Sequence, residues 1–225
     1  MIKNFILNTK ILREKIFNFS NFQQNTLNNY FLKNHGDLKN IKIIYDIGAH
    51  RGAWTKEIRN VFKKGKFYLF EANPCNNKYL ELESKDFFNV LLSRKIENKF
   101  FYTLNATGDS YLKQNIGYDK AKKIKIKSNT LDNFSNINKL PKPNFIKIDT
   151  QGSEIDILKS AKNTLKNCKF ILLECPLVEY NKNAPNISEY LSFMKSIKYL
   201  PVELIQKQIH KKLLVQIDIL FKKND

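Results

Sequence analysis

The residues of this 225-residue chain that are best suited to do chemistry are four carboxylates, each of which ends a short apolar run. In chain order they are Asp46 after residues 41–45, Glu71 after residues 66–70, Asp149 after residues 144–148, and Glu174 after residues 170–173. Such runs are typical of buried strands, and parallel strands place the side chains at their carboxyl ends along one edge of the sheet. Carboxylates that recur at this edge predict a cleft for a polar ligand.

Two glycines follow the first of these strands, in residues 45–52 with the sequence Tyr-Asp-Ile-Gly-Ala-His-Arg-Gly. A helical pattern begins at Ala53, so the segment predicts a strand, a tight glycine turn and a helix. Gly48 allows the backbone to turn sharply, and Gly52 allows a ligand or a helix to approach closely. Because His50 stands where the fingerprint Gly-x-Gly-x-x-Gly has its second glycine, the turn favours a ligand without phosphates over a pyrophosphate.

Glu71 follows this turn by about twenty residues, which is the distance at which a strand-end carboxylate accepts hydrogen bonds from ribose hydroxyls. Together with Asp46, Gly48 and Gly52, it predicts a site for an adenosine-bearing cofactor that lacks a pyrophosphate. S-adenosylmethionine fits this description. On these residues alone, an unrelated strand, turn and helix remains the alternative interpretation.

The elements that must position these residues alternate between strand and helix up to residue 93, which predicts an α/β fold built from parallel βαβ units. Residues 99–102 and 123–127 then favour short strands around the loop at residues 108–110. This insertion could shape a substrate pocket, or its alternating Lys and Ile could form an ordinary half-exposed strand. Residues 199–204 and 213–221 predict an antiparallel hairpin at the sheet edge, because no helix separates them.

The chain is predicted to divide into an N-terminal helical extension, residues 1–40, and a single domain, residues 41–225. The apolar residues of the extension recur at mostly helical spacings with basic residues between them. A cap on the sheet or a contact in a homo-oligomer explains this pattern, and a basic amphipathic helix on a membrane surface is the alternative. Because no apolar run reaches about 20 residues and no signal peptide is evident, we predict a cytoplasmic protein without a transmembrane segment.

The formal net charge of +18 raises the question of nucleic-acid binding, since Lys and Arg neutralise phosphates. The lysines are scattered along the whole chain, however, and Asn and Ile are also abundant throughout, which indicates a general compositional bias. We therefore predict no nucleic-acid partner. The three cysteines, Cys75, Cys168 and Cys175, lack paired or metal-ligand spacing, which favours a reducing compartment.

Residues 41–221 resemble the FkbM family of S-adenosylmethionine-dependent methyltransferases. The resemblance rests on four motifs in order: residues 45–52, Phe-Glu-Ala-Asn-Pro at 70–74, Thr-Leu-Asp at 130–132, and Lys-Ile-Asp-Thr-Gln-Gly-Ser-Glu at 147–154. Two positions depart from the family, because His50 stands where Asn is usual and Ala72 where Pro is usual. Since His can also donate a hydrogen bond, the departure puts only the particular contact at position 50 in question.

The resemblance implies a Rossmann-like class I methyltransferase fold, with a mostly parallel seven-stranded sheet and an antiparallel C-terminal edge hairpin. It implies O-methylation of a small-molecule or glycan hydroxyl, on a sugar, a surface glycan or a natural product. We assign cofactor binding to Asp46, Gly48, Ala49, His50, Gly52, Glu71, Asn73 and Ser93. We assign catalysis to Asp149, as general base or hydroxyl orienter, with Glu154 and Lys147 nearby. Glu154 also has a simpler explanation, because a carboxylate in the first turn of a helix suits the helix dipole.

Three alternatives stay open on the sequence. Asp149, Glu154 and Glu174 could hold a divalent metal ion through hard oxygen ligands, although nothing in their spacing requires one. An RNA methyltransferase would use the positive charge and would need a basic face with exposed aromatic rings beside the cleft. A cofactor-binding scaffold without catalysis is the third, and the intact set of Asp46, Glu71 and Asp149 argues against it.

Overall fold

The computed structural model describes residues 20–34, 37, 40–103, 108–113, 121–179 and 181–224. Its strands are β1 Ile43–Ile47, β2 Lys66–Glu71, β3 Phe87–Asn89, β4 Asn98–Thr103, β5 Lys122–Lys127, β6 Phe145–Ile148, β7 Phe170–Pro176, β8 Tyr199–His210 and β9 Leu213–Lys223. Its α-helices are α1 Ser20–Lys33, α2 Ala53–Ile58, α3 Asn77–Glu83, α4 Leu131–Ile137, α5 Glu154–Lys159 and α6 Ile187–Ser196. Short 3-10 helices occupy Pro74–Asn76 and Thr164–Asn167.

Seven of these strands form one twisted sheet in the order β3-β2-β1-β6-β7-β9-β8. The five strands from β3 to β7 are parallel to one another, whereas β9 runs antiparallel to β7 and β8 antiparallel to β9. This arrangement confirms the predicted seven-stranded, mostly parallel sheet with an antiparallel C-terminal edge hairpin. Asp46 on β1 lies opposite Lys147 on β6, so the strand that leads to Asp149 is the neighbour of the strand that carries Asp46.

Helices cover both faces of the sheet. Successive residues of each strand point to opposite sides, so the apolar strands present apolar side chains to both layers of helices. On β6, for example, Ile146 and Ile148 pack in one apolar cluster with α4, α5 and α6. Phe145 belongs to a second cluster on the opposite face, which includes Leu27 and Phe31 of α1 and residues of α2 and α3. A central sheet buried on both faces explains why its strands read as almost continuous apolar runs.

The predicted N-terminal extension is described only in part, as helix α1. Phe31 of α1 is fully buried and lies edge-on to Phe170 and Phe62, with ring centroids 5.2 and 5.7 Å apart. This part of the extension therefore caps one face of the sheet. Residues 1–19, on which the amphipathic-helix and membrane-contact alternatives depend, lie outside the described residues. Within the described ranges, no helix has the length and apolar character needed to cross a bilayer.

The irregular segment after β3 forms a separate two-stranded antiparallel sheet of β4 and β5. Both strands were predicted, and the alternating exposure along β5 agrees with a half-exposed strand. The insertion also contributes to a cavity, which is lined by Phe101 of β4 and by Asp109, Ser110 and Tyr111, which follow β4 in the chain. The insertion therefore both forms a half-exposed strand and shapes a pocket.

Candidate functional site

A cavity of about 330 Å³ lies at the carboxyl ends of the parallel strands. Its walls come from the turns after β1, β2 and β6, from β7 and from the hairpin β8–β9. This edge of a parallel sheet is where α/β proteins bind their ligands. The volume is within the range of ordinary small-molecule sites.

The turn after β1 has the backbone geometry that the glycine spacing predicts. Gly48 has a φ of 76°, which L-amino acids rarely adopt. A Cβ atom at Gly48 would lie 1.8 Å from the carbonyl oxygen of Asp149, so only glycine lets the turns after β1 and β6 lie side by side. Gly52 also has a φ of 76°, and a Cβ atom there would lie 2.7 Å from Cγ of Glu83. The close approach at Gly52 is thus that of helix α3.

Glu71 is a buried carboxylate at the end of β2 that lines the cavity. Its Oε2 accepts a hydrogen bond from the backbone N–H of His50 at 2.7 Å, and its Oε1 accepts one from the backbone N–H of Asn73 at 2.7 Å. Burial raises the pKa of Glu71 to about 7, although these two donors oppose the shift. Each carboxylate oxygen accepts two hydrogen bonds, so Glu71 retains acceptor capacity toward the cavity.

Lys147 forms ion pairs with two of the predicted carboxylates, Asp46 and Asp149. Its Nζ lies 3.2 Å from Oδ1 of Asp46 and 3.5 Å from Oδ2 of Asp149. Burial alone would lower the pKa of Lys147, but the two carboxylates outweigh burial and raise it. The Lys147 ammonium is therefore a fixed positive charge that orients Asp149, and it cannot act as a base. Asp46 is fully buried and also accepts a hydrogen bond from Oγ1 of Thr55 at 2.7 Å.

Asp149 and Glu174 form a coupled pair around the side chain of Gln151. Nε2 of Gln151 donates to Oδ1 of Asp149 at 2.9 Å and to Oε1 of Glu174 at 2.8 Å. Burial by itself would raise the pKa of Asp149, but the charge of Lys147 and hydrogen bonds from Glu174 and Gln151 hold it below its usual value. Burial and the neighbouring carboxylates of Asp149 and Asp218 raise the pKa of Glu174 well above its usual value. Asp149 is therefore the more acidic member of the pair and is ionised at neutral pH.

Glu154 has a different environment from Asp149. It is 1% exposed, and its Oε1 accepts hydrogen bonds from the backbone N–H groups of Thr150 at 2.8 Å and Gly152 at 3.1 Å. Its Oε2 accepts a hydrogen bond from the Tyr190 hydroxyl at 2.5 Å. These contacts hold the turn that carries Asp149 and Gln151. They show that the helix dipole is not the whole explanation for this residue.

The predicted site residues divide into two groups by their position. The residues that line the cavity are Gly48, Ala49, His50, Glu71, Lys147 and Asp149. The residues behind this lining are Asp46, Gly52, Asn73, Ser93 and Glu154. Asn73 caps the 3-10 helix after β2 through a hydrogen bond from the Cys75 N–H, and its Nδ2 donates to Asp109. Ser93 is fully buried, and its backbone N–H donates to the carbonyl of Asn129.

Several polar residues on the hairpin β8–β9 were not predicted, although they line the same cavity as Asp149. They are Gln206, Gln208, Gln216 and Asp218. Their alternate spacing, at 206 and 208 and at 216 and 218, was the one signal in the sequence that marked a shared face. Trp54 of α2 lines the cavity as well. In the described part of the chain, no group of three or more His, Cys, Asp or Glu side chains is arranged to hold a metal ion.

Comparison with known proteins gives the family. A family model described as "Methyltransferase FkbM domain" matches residues 46–201. The 2-O-methyltransferase NoeI of Sinorhizobium fredii (strain NBRC 101917 / NGR234) is 24% identical over 151 residues, which cover 59% of this chain and 62% of NoeI. The crystal structure of methyltransferase FkbM from Methylobacillus flagellatus KT superposes with a TM-score of 0.51 at 14% identity, over 81% of this chain and 44% of that chain.

The chain thus spans less than two thirds of the length of both proteins, and at 14% identity the superposition shows a shared fold alone. The family model is stronger evidence, because it covers well over half of the chain and contains the cavity-lining turns after β1, β2 and β6. The resemblance inferred from the four motifs is confirmed. This chain belongs to the methyltransferases of the FkbM-domain family.

Proposed function

We propose that this protein binds S-adenosylmethionine in the cavity and methylates a hydroxyl group of a sugar, a surface glycan or a natural product. One observation carries the proposal. Glu71 at the end of β2 and Asp149 at the end of β6 line one and the same cavity. Glu71 suits the ribose of a nucleoside, whereas Asp149 suits a hydroxyl group of a second molecule.

The residues around Glu71 fit the proposed cofactor. The apolar side chains of Val90 and Leu91 line the cavity and offer a surface for an adenine ring. His50 Nε2 and Trp54 Nε1 also belong to cavity-lining residues, and both atoms are buried without a hydrogen-bond partner among the described residues. Burial and the charge of Arg51 lower the pKa of His50, so its ring is neutral at pH 7. Buried polar atoms of this kind normally have partners, which a bound polar ligand would supply.

S-adenosylmethionine supplies an electrophilic methyl group on a sulfonium centre. The protein must then hold a hydroxyl oxygen in line with this group, and such alignment provides a large share of the rate enhancement. The ionised Asp149 is suited to accept the hydrogen bond of that hydroxyl and so to orient its lone pair. As the oxygen acquires the methyl group its proton becomes strongly acidic, so even a carboxylate of low pKa can accept it. Lys147 and Gln151 keep the carboxylate of Asp149 in place, and Glu154 holds the turn.

RNA methylation is the second candidate, and β5 is the observation that favours it. Its exposed lysines form a basic face next to Phe100, whose side chain is half exposed. However, Nζ of Lys123 lies 3.7 Å from the centroid of the Phe100 ring, so one face of this ring is already covered. The cavity wall also carries several carboxylates, which repel phosphates. We therefore favour the carbohydrate or natural-product acceptor.

The function is tested by methyl transfer from labelled S-adenosylmethionine to fractions of a cell extract. Neutral oligosaccharides and glycolipids, small metabolites, and RNA are separated first and incubated with the protein. We expect label in a saccharide or small-metabolite fraction as a base-stable methyl ether, because ethers resist mild alkali whereas methyl esters do not. Label in RNA alone would establish the second candidate, and label in no fraction together with no cofactor binding would refute both.

Cofactor affinity should depend on pH through Glu71. The ionised carboxylate accepts hydrogen bonds from ribose hydroxyls better than the neutral acid does, so affinity should fall as pH falls through the Glu71 pKa of about 7. Calorimetric titration with S-adenosylhomocysteine from about pH 8 down to about pH 5 should show a loss that approaches about tenfold per pH unit below that pKa. Glu71→Gln, which keeps the size of the side chain, should bind more weakly at pH 8 and lose this dependence. An unchanged pH dependence in Glu71→Gln would exclude Glu71 as its source.

A further inference from the structure

The hairpin β8–β9 extends the polar wall of the cavity beyond Asp149. Glu174 on β7 lies opposite Asp218 on β9, which in turn lies opposite Gln206 on β8. Residues that are directly opposite one another in a sheet point to the same face. Glu174, Asp218 and Gln206 thus form a row of polar side chains across three strands. The Gln151 amide links Glu174 to Asp149, so the row begins at the proposed site of methyl transfer.

A second row runs parallel to the first, one step closer to the turn that connects β8 to β9. Gln216 on β9 lies opposite Gln208 on β8, and each is two residues from a member of the first row. All of these side chains on β7, β8 and β9 line the cavity. Gln206, Gln216 and Asp218 are between 6 and 9% exposed, so they are buried polar groups on a sheet face.

Packing alone does not account for these polar residues. On the same face and two residues earlier along β7, Leu172 also lines the cavity; it lies opposite Leu220 on β9, and both belong to the apolar core. Along β7 and β9 the side chains on this face therefore change from leucine to carboxylate and amide groups within the cavity wall. Nε2 of Gln216 donates to Oδ1 of Asp218 at 3.5 Å, so part of this polar wall is paired within itself. A face that served packing alone would favour further apolar residues here, because buried polar groups gain little from burial even when they are hydrogen-bonded.

The dimensions of the rows indicate the length of a ligand. Adjacent strands lie about 4.8 Å apart, so Gln206 is roughly 14 Å from Asp149, three strand spacings across the sheet. A single sugar ring held at Asp149 would leave the outer strand β8 without contact. A ligand that contacts both Asp149 and Gln206 therefore has more than one ring.

Resting on the proposed methyltransferase function, we propose that Gln206, Gln208, Gln216, Asp218 and Glu174 form the acceptor subsite, and that the acceptor is a neutral oligosaccharide of at least two sugar units. Amide side chains both donate and accept hydrogen bonds, as sugar hydroxyls do, and carboxylates accept from them. The acidic side chains of Asp149 and Asp218 disfavour a phosphorylated acceptor, although the whole chain has a net charge of +18. The local charge of the subsite is thus opposite to that of the protein.

The test is binding of the full chain, saturated with S-adenosylhomocysteine, to a printed array of mono-, di- and oligosaccharides with neutral and anionic members. We expect binding to a neutral saccharide of two or more units. The affinity for that saccharide should fall about tenfold in Gln208→Ala and in Gln216→Ala, since each loses one or two neutral hydrogen bonds. Lys207→Ala is the matched control, because Lys207 is exposed on the opposite face of β8, and it should bind as wild type does.

Separate readouts distinguish a failure of this proposal from a failure of the proposed function. Calorimetric titration with S-adenosylhomocysteine and the melting temperature are measured for each variant. Cofactor affinity should equal that of wild type in all of them, whereas Gln216→Ala also loses a buried hydrogen bond to Asp218 and should melt at a lower temperature. Absence of cofactor binding in wild type would refute the methyltransferase mechanism itself. Cofactor binding without binding of any saccharide, preference for anionic members, or equal saccharide affinity in Gln208→Ala and wild type would overturn the acceptor subsite alone.

Discussion

Asp149→Asn should lower turnover by about 100-fold or more while leaving the affinity for S-adenosylhomocysteine close to that of wild type. The substitution preserves the shape of the side chain but removes the anionic oxygen that orients the acceptor hydroxyl and accepts its proton. Asp149 is positioned by Lys147 and Gln151, whereas the ribose contact is assigned to Glu71 on another strand. Turnover is measured with the acceptor identified from the labelled fractions, and affinity by calorimetric titration.

Glu154→Gln is the comparison that separates a catalytic carboxylate from a positioning one. Because Glu154 accepts hydrogen bonds from Thr150, Gly152 and Tyr190 and lies behind the cavity lining, its replacement should lower the melting temperature as well as turnover. Asp149→Asn should lower turnover more and the melting temperature less. Near wild-type turnover in Asp149→Asn would refute its assignment and leave substrate alignment alone to explain catalysis.

Gly48→Ala should destabilise the fold by about 2–5 kcal/mol, from the strain of a positive φ in an L-residue together with overpacking. The φ of Gly48 is 76°, and the new Cβ would lie 1.8 Å from the Asp149 carbonyl oxygen. Because this oxygen belongs to the backbone, β1 and β6 would have to separate at the ends that carry the site. Urea denaturation measures the loss, and cofactor binding by any residual folded protein should be weak.

Gly52→Ala is the matched control for this prediction. Gly52 has the same φ of 76°, but the nearest atom to its new Cβ is the flexible side chain of Glu83 rather than backbone. Gly52→Ala should therefore lower the free energy of unfolding only by the cost of backbone strain, about 1–2 kcal/mol. Equal losses in the two variants would contradict the argument that contact with the Asp149 carbonyl makes glycine obligatory at position 48.

Local sequence patterns were sufficient to predict most of the fold. The apolar runs before Asp46, Glu71, Asp149 and Glu174 predicted buried parallel strands, and the glycines after β1 predicted a sharp turn. The lack of a helix between the last two strands predicted the edge hairpin. These features are readable because strand burial, turn geometry and helix periodicity each depend on residues within a few positions of one another.

The membership of the cavity was only partly predictable. Strand-end position correctly brought Glu71 and Asp149 to one cavity, because the ends of parallel strands meet at one edge of a sheet. The same argument did not reveal that Asp46 and Glu154 lie behind the lining, where they hold Lys147 and the turn after β6. The sequence does not show whether a carboxylate faces a ligand or a neighbouring N–H group. The direction of its side chain determines which of the two it contacts, and that direction is known only from the structure.

The order of the elements, the family motifs and the sheet edge at which the cavity lies could all be inferred from local sequence. The pairing of strands across that edge could not be inferred, because it exists only in the folded chain. Gln206 and Asp149 are 57 positions apart in the chain (206 − 149), and strand pairing brings them into the same wall of the cavity. Register between distant strands depends on the packing of the whole sheet, and no local pattern near either residue contains it.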